Sequence, residues 1–290
     1  MTETGHISKL YLFSKDTGAT DIIRGFKFQE LKTLEIWLFN KVNRVIENIY
    51  CEYEDDIFQR DLREFKATFR QIKLYSSKRL SLASQELIKT INHFFMLFVK
   101  GDYLFDKPTF IFETNTSFAA QRGDEDSELL KDWFENQEKL TDELVTRCIL
   151  KVKSIIEVYI DSCIEKSKDE NEKSKFIEAK SIFKGIPEET WRDFIKAIKW
   201  IFTSLSSEDA LEQSVGNCMN FISLLPFPIA GDQHTIVFDT LRGIVSDRSI
   251  AEEPENRLLN NDLLDHALLN LGGRDDKEYN NTYELWKGVK

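Results

Sequence analysis

Between residues 21 and 115 the chain alternates stretches of helical and strand-like periodicity, and this constrains the fold more than any other feature. Across residues 21–48, Phe26, Leu31, Leu34, Leu38 and Val42 recur at three- and four-residue steps, the repeat of one helix face. Strand-like runs follow at 49–53 and 67–75, with Ile57 and Phe58 as a short apolar pair and 59–65 as a polar connection. Leu82, Leu87, Ile91, Phe94, Phe95 and Phe98 then form the apolar stripe of a helix over 81–99. Residues 108–114 read as a third strand leading into Asn115. Strands separated by a helix predict an α/β sheet with a crossover helix.

After Asn115 the pattern is mostly helical, over 127–170, 187–205, 207–225 and 257–271, while 233–247 reads as helix or short extended segment. Pro187-Glu188-Glu189 is a helix start, and Trp191, Phe194, Ile195, Ile198, Trp200, Ile201 and Phe202 are read as continuing that helix. The charged run 165–175 reads as a solvated helix end or loop, and residues 1–20 as an irregular lead-in. The expected organisation is an α/β core over residues 1–125 and a helical extension over 126–290 that makes oligomer or partner contacts.

Composition narrows the function classes. A hydrophobic content of 41% permits a packed core, and only 12 Gly and 5 Pro argue against an all-β or loop-rich chain. Four scattered cysteines lack CxxC spacing and four histidines lack any ligand grouping, which argues against zinc and against a disulfide framework. No leader-like start and no apolar run of membrane-spanning length are visible, so a cytoplasmic protein without a membrane partner is expected. The net charge of −11 speaks against a protein that coats nucleic acid. Locally the balance reverses: between Arg60 and Arg79, seven basic residues face two acidic ones.

That basic segment surrounds the most informative residues, Gln71 and Lys73. They share one face of a strand because side chains at i and i+2 point the same way. Upstream lies the carboxylate cluster Glu52-Tyr53-Glu54-Asp55-Asp56. Hydrolysis of a phosphodiester needs a hard cation to neutralise developing charge and activate water. It also profits from a fixed positive charge at the phosphate. Asp56, at the end of the strand-like segment, is the first candidate for the metal, with Glu52 and Asp55 as rivals. Gln71 would add a neutral oxygen, and Lys73 would stabilise the transition state. Arg60, Arg70, Lys78 and Arg79 are candidate DNA contacts. His93, inside an apolar helix, is more simply a core or edge histidine.

The order of these motifs resembles the PD-(D/E)XK nuclease superfamily, with Gln29, Asp56, Gln71 and Lys73 in the motif positions. Gly25-Phe26-Lys27-Phe28-Gln29, the run from Glu52 to Ile57, the Gln-x-Lys strand and Thr114-Asn115 are similar to the DUF4297 family, the Cap4-like double-stranded DNA endonuclease domains of bacterial antiphage defence. The resemblance implies a restriction-endonuclease-like core and a catalytic set of Asp56, Gln71, Lys73 and Gln29. It implies Mg²⁺, or Mn²⁺, held by Asp56, Gln71 and Glu52. The implied substrate is double-stranded DNA, cut with low sequence specificity after activation by homo-oligomerisation or by a partner ATPase or sensor protein. Gln71 stands where the superfamily more often has a carboxylate, so a catalytically inactive nuclease-like scaffold is the alternative.

Overall fold

The computed structural model describes residues 19–52, 55–61, 63–64, 66–100, 107–119, 123–227, 229 and 233–272. The expected lead-in falls almost wholly outside them, as do Tyr53 and Glu54. The described chain opens with helix α1 (Ala19–Val42), whose Leu31, Leu34 and Leu38 are fully buried at the predicted spacing, whereas Phe26 of the same expected face is exposed and Val42 half-buried. Strands β1 (Glu47–Cys51), β2 (Ile57–Asp61) and β3 (Lys66–Lys73) follow as an antiparallel meander. The first three residues of the polar connection expected at 59–65 therefore belong to β2. Its Gln59 pairs with Thr68, and cross-strand pairing overrides the polar composition.

Helix α2 (Gln85–Lys100) then crosses over to β5 (Lys107–Thr114), which runs parallel to β3 with Lys73 opposite Thr114. Just before α2 and just after β5, β4 (Arg79–Leu80) and β6 (Ser117–Phe118) form a small parallel pair. The second half contains α3 (Glu125–Asn136), α4 (Asp142–Lys166), α5 (Glu170–Lys184), α6 (Glu188–Ala197), α7 (Ser207–Ser223), α8 (His234–Ser249) and α9 (Asn261–Gly272). The charged run at 165–175 spans the end of α4 and the first turns of α5.

Two strands in that half lie in stretches whose apolar pattern predicts helix. Residues Ile198–Phe202 form β7, parallel to β5, with Ile198, Trp200 and Phe202 buried and Lys199 and Ile201 less so. That alternation has period two, and helix α6 ends where it begins. Leu258–Leu259 forms β8, which pairs with β1 after a 3-10 turn at Pro254–Arg257. The main sheet has the order β7-β5-β3-β2-β1-β8, so both of its edges come from the second half of the chain. It runs without a break across the boundary expected near residue 125. The physical reason is that the outer backbone groups of β5 and β1 need partners once their inner sides are paired.

Helices cover both sheet faces. On one, called the front here, α2, α3, α4 and α6 pack over Phe58, Phe69 and Phe110. These rings stack across three strands at centroid distances of 4.9 and 5.4 Å. On the back, α1, α7, α8 and α9 pack over Ile49, Ile57 and Ile72. Fully burying each such side chain contributes about 1.5–3 kcal/mol, and the two apolar faces fix the register. A one-residue slip of β3 would exchange Phe69 for Arg70.

Candidate active site

The alternation of β3 sends Gln71 and Lys73 to the front face, with Arg70 and Ile72 on the back. The β1–β2 connection brings Glu52, Asp55 and Asp56 to the same end. Asp56 lies one residue ahead of β2, in the hairpin, rather than at the end of the preceding strand. Glu52 adopts a left-handed backbone, φ 48°, and its N–H donates to the Asp56 carbonyl at 3.1 Å, closing the loop. Arg257 anchors it from the far end of the chain, donating Nη1 to the Glu52 carbonyl and Nε to the Ala251 carbonyl at 2.8 Å.

Asp56 Oδ2 accepts two hydrogen bonds, from the Ile72 N–H at 2.6 Å and from Lys73 Nζ at 3.2 Å. Gln29, reaching across from α1, donates Nε2 to the Ile72 carbonyl at 3.4 Å. The Ile72 residue is thus gripped at both its N–H and its C=O, by two of the residues singled out in the sequence. Gln71 Oε1 accepts from Thr90 Oγ1 of α2. Asp55 Oδ1 accepts the Asp56 N–H at 2.9 Å, whereas Asp55 Oδ2 is buried without a hydrogen bond, 3.8 Å from His93 Nε2.

Charge is unbalanced here. Burial pushes the Asp55 carboxyl up to about 7, and repulsion from Asp56 adds to the rise. Glu52 is raised to about 7 by the same causes in the same order, opposed by Lys73 and Arg257. Three carboxylates face the Lys73 ammonium and, at Glu52, the Arg257 guanidinium, so a further cation would relieve the remaining excess. Among the described residues, no three His, Cys, Asp or Glu side chains are arranged to hold a metal ion. The donors that are present, Asp56, the Gln71 amide oxygen and the orphaned Asp55 oxygen, are hard oxygens of the kind Mg²⁺ takes. To that extent the residues fit the ion.

The candidate DNA contacts scatter. Arg70 alternates onto the back face, where its guanidinium holds Glu113 at 2.5 Å, away from Lys73. Lys78 pairs with Glu86 and stands 5.8 Å from the centroid of the Tyr75 ring. Arg79 is exposed on β4, and Arg60 is half-buried on β2. The residue expected directly after the third strand, and part of the Thr114-Asn115 motif, organises this end of the sheet. Asn115, 1% exposed, accepts from the Tyr75 N–H at 2.7 Å and donates to the carbonyls of Tyr75 and Leu205 at 2.8 and 3.1 Å. It ties the ends of β3 and β5 to the segment after β7. Thr90 and Arg257 carried no signal in the sequence, because both act through contacts between distant segments.

Fold and site together define a three-layer α/β/α protein with a carboxylate–lysine pair at the end of its central strands. No family profile matches the chain, and no curated protein does. Among solved structures, the chain is similar to the Cap4 SAVED/CARF-domain containing receptor of Acinetobacter baumannii with the cyclic trinucleotide 3'3'3'-cAAA, at a TM-score of 0.46 and 13% identity over 85% of this chain and 44% of that one. The corresponding receptor of Moraxella osloensis gives a TM-score of 0.44 and 15% identity, over 84% of this chain and 47% of that one. The chain thus spans less than half the length of these neighbours, and likeness this loose assigns neither fold nor function.

Proposed function

We propose that the protein is a metal-dependent endonuclease that cleaves DNA as an antiphage effector. The observation that carries this reading is the contact of Asp56 with Lys73 at 3.2 Å, made between the β1–β2 hairpin and β3, with Gln71 on the same strand face. The order of elements supports a restriction-endonuclease-like core: a helix bearing Gln29, an antiparallel β1–β2–β3 meander, crossover helix α2, then parallel β5. Asp56 and Gln71 would hold Mg²⁺ or Mn²⁺, with Glu52 and Asp55 close enough to feel its charge. When bound, the ion would supply charge neutralisation and an activated water. Lys73 would place its ammonium at the scissile phosphate and offset the negative charge that builds there. Gln29 and Asp56, by fixing the Ile72 peptide, would hold the strand that presents Lys73. The proposed substrate is double-stranded DNA read with low sequence specificity, and activation would come from oligomerisation or from a partner ATPase or sensor.

The scaffold reading is favoured by two observations: no three-ligand acidic or histidine group among the described residues, and Gln71 in place of a carboxylate. Plasmid cleavage decides between them, with Mg²⁺ at several protein concentrations, alone and with any ATPase or sensor encoded beside it. Cleavage that disappears in Lys73→Ala and Asp56→Ala, both still folded by circular dichroism, is the expected result. A wild-type protein silent under every one of these conditions would instead establish the scaffold.

A further inference from the structure

The back face carries a second constellation that the proposed chemistry does not use. A groove of about 480 Å³ lies between α1, α7 and the sheet, with Glu47, Gln59, Arg70 and Glu113 on its floor and Phe39 and Phe221 on its walls. Its size is that of a small-molecule site. Most of its charges satisfy one another. Lys32 Nζ meets Glu113 at 2.8 Å and Glu35 at 2.9 Å, and Arg70 Nη1 meets Glu113 at 2.5 Å. Glu35 also accepts from Asn217 at 3.0 Å. These two cations and two carboxylates cancel.

Glu47 is left over. Its Oε2 accepts from Asn40 at 3.2 Å and from Gln59 Nε2 at 2.8 Å, both neutral amides, so that end of the groove keeps one negative charge. Two buried atoms have no hydrogen-bond partner: the acceptor Gln59 Oε1, on a side chain 8% exposed, and the donor Arg70 Nε. Orphaned buried polar atoms are rare and costly, and a pair of opposite sense in one groove asks for a ligand with both a donor and an acceptor. Gln59 and Arg70 project from the same sheet face, since Gln59 lies opposite Thr68, two residues from Arg70. Phe39, 45% exposed and edge-on to Phe221 at 5.8 Å, offers an apolar wall beside them.

We infer that this groove binds a small organic cation with an α-ammonium beside a carbonyl oxygen on an apolar or aromatic body. The ammonium would pair with Glu47; a turn of the Gln59 and Arg70 side chains, whose Oε1 and Nε are closed to solvent in the free protein, would present an acceptor to the ammonium and a donor to the carbonyl, and the body would lie on Phe39 and Phe221. An anion is disfavoured by the residual negative charge, and a purely apolar ligand would leave both orphans unmet. A free amino amide and the N-terminus of a peptide share this chemistry.

Calorimetry on the full chain tests it with phenylalaninamide, Nα-acetyl-phenylalaninamide, phenylacetate and the peptide Phe-Gly-Gly. Phenylalaninamide is expected to bind, and acetylation or loss of the amine to weaken binding at least about tenfold. Phe-Gly-Gly binding as tightly as phenylalaninamide would assign the site to a chain terminus, whereas much weaker binding would assign it to a free small molecule. Glu47→Gln should lower affinity by about tenfold while retaining the wild-type thermal transition, because its amide oxygen can still accept from Asn40 and Gln59. Gln59→Leu should lower affinity at least as much, and its thermal transition is read alongside because the change also removes the Gln59 donation to Glu47. Equal binding of the acetylated probe, tighter binding of phenylacetate, or no binding of phenylalaninamide at millimolar concentration would overturn the inference. Because the groove faces away from Lys73, these outcomes are independent of whether the protein cleaves DNA.

Discussion

The two faces of β3 hold their charges in opposite ways. On the back, Glu113 lies between Lys32 and Arg70, and every formal charge in that trio has a partner. Burial opposes the Glu113 carboxylate, but the two cations outweigh it and hold its pKa below the ordinary value. Lys32 is the mirror case: burial disfavours its ammonium, yet Glu113 and Glu35 raise its pKa. On the front, Glu52 and Asp55 are raised to about 7 because burial and Asp56 outweigh what Lys73 returns. A compensated buried network holds a fold together. An uncompensated one stores free energy that a bound cation would release, so the same strand is structural on one side and chemically poised on the other.

The widest break in that comparison should come from Lys73→Ala. If the front is catalytic, plasmid cleavage should fall at least about a hundredfold, with stability changed less than by the loss of Glu113. Glu113→Gln should do the reverse, costing about 3–5 kcal/mol by leaving Lys32 and Arg70 buried with reduced compensation. Chemical denaturation would measure it. The sign with pH follows from the depressed pKa of Glu113. Its stabilisation is complete above the unfolded carboxylate value of 4.5 and is lost as pH falls through the lower folded value, so wild type and variant should converge in acid.

Asp55 has the opposite sign. Its folded pKa is raised from 3.8 to about 7, so its penalty is absent below the first value, grows between the two and is complete above the second. Asp55→Asn should therefore stabilise the metal-free protein at pH 8, by up to roughly 4 kcal/mol, and have almost no effect at pH 3. If Mg²⁺ occupies the site, the same variant should lose part of the thermal stabilisation that Mg²⁺ confers on wild type, as read by differential scanning fluorimetry. The smallest effect should come from Arg257→Ala. Removing the clamp on the Glu52 carbonyl should cost about 1 kcal/mol and raise amide hydrogen exchange in the β1–β2 hairpin, while leaving the Glu113 network unchanged.

Much of the front face was legible in the chain itself. Gln71 and Lys73 share the front because strand geometry leaves no alternative, and on the back the repeat of Leu31, Leu34 and Leu38 is buried as expected, though Phe26 at its start is not. The proximity of an upstream carboxylate to Lys73 also follows from a short meander, since neighbouring antiparallel strands bring such residues together. The chain did not reveal β7 or β8. Ile198–Phe202 is apolar enough to continue α6, and only the exposed side of β5 makes extension the better use of its backbone. Nor did the chain show that Arg70, two residues before Ile72, would serve Glu113 instead of a phosphate.

Sequence alone therefore determined the periodic elements, the pairing of residues within a strand and the chemical types gathered near the hairpin, all of which depend on local geometry. Tertiary structure decided which carboxylate meets which cation, that the second half closes both sheet edges, and that Asn115 and Arg257 hold the site's end together. Those outcomes depend on contacts between segments as far apart as Glu52 and Arg257. The free energy of such a contact comes from burial and from the partners found there, and no window of sequence contains either.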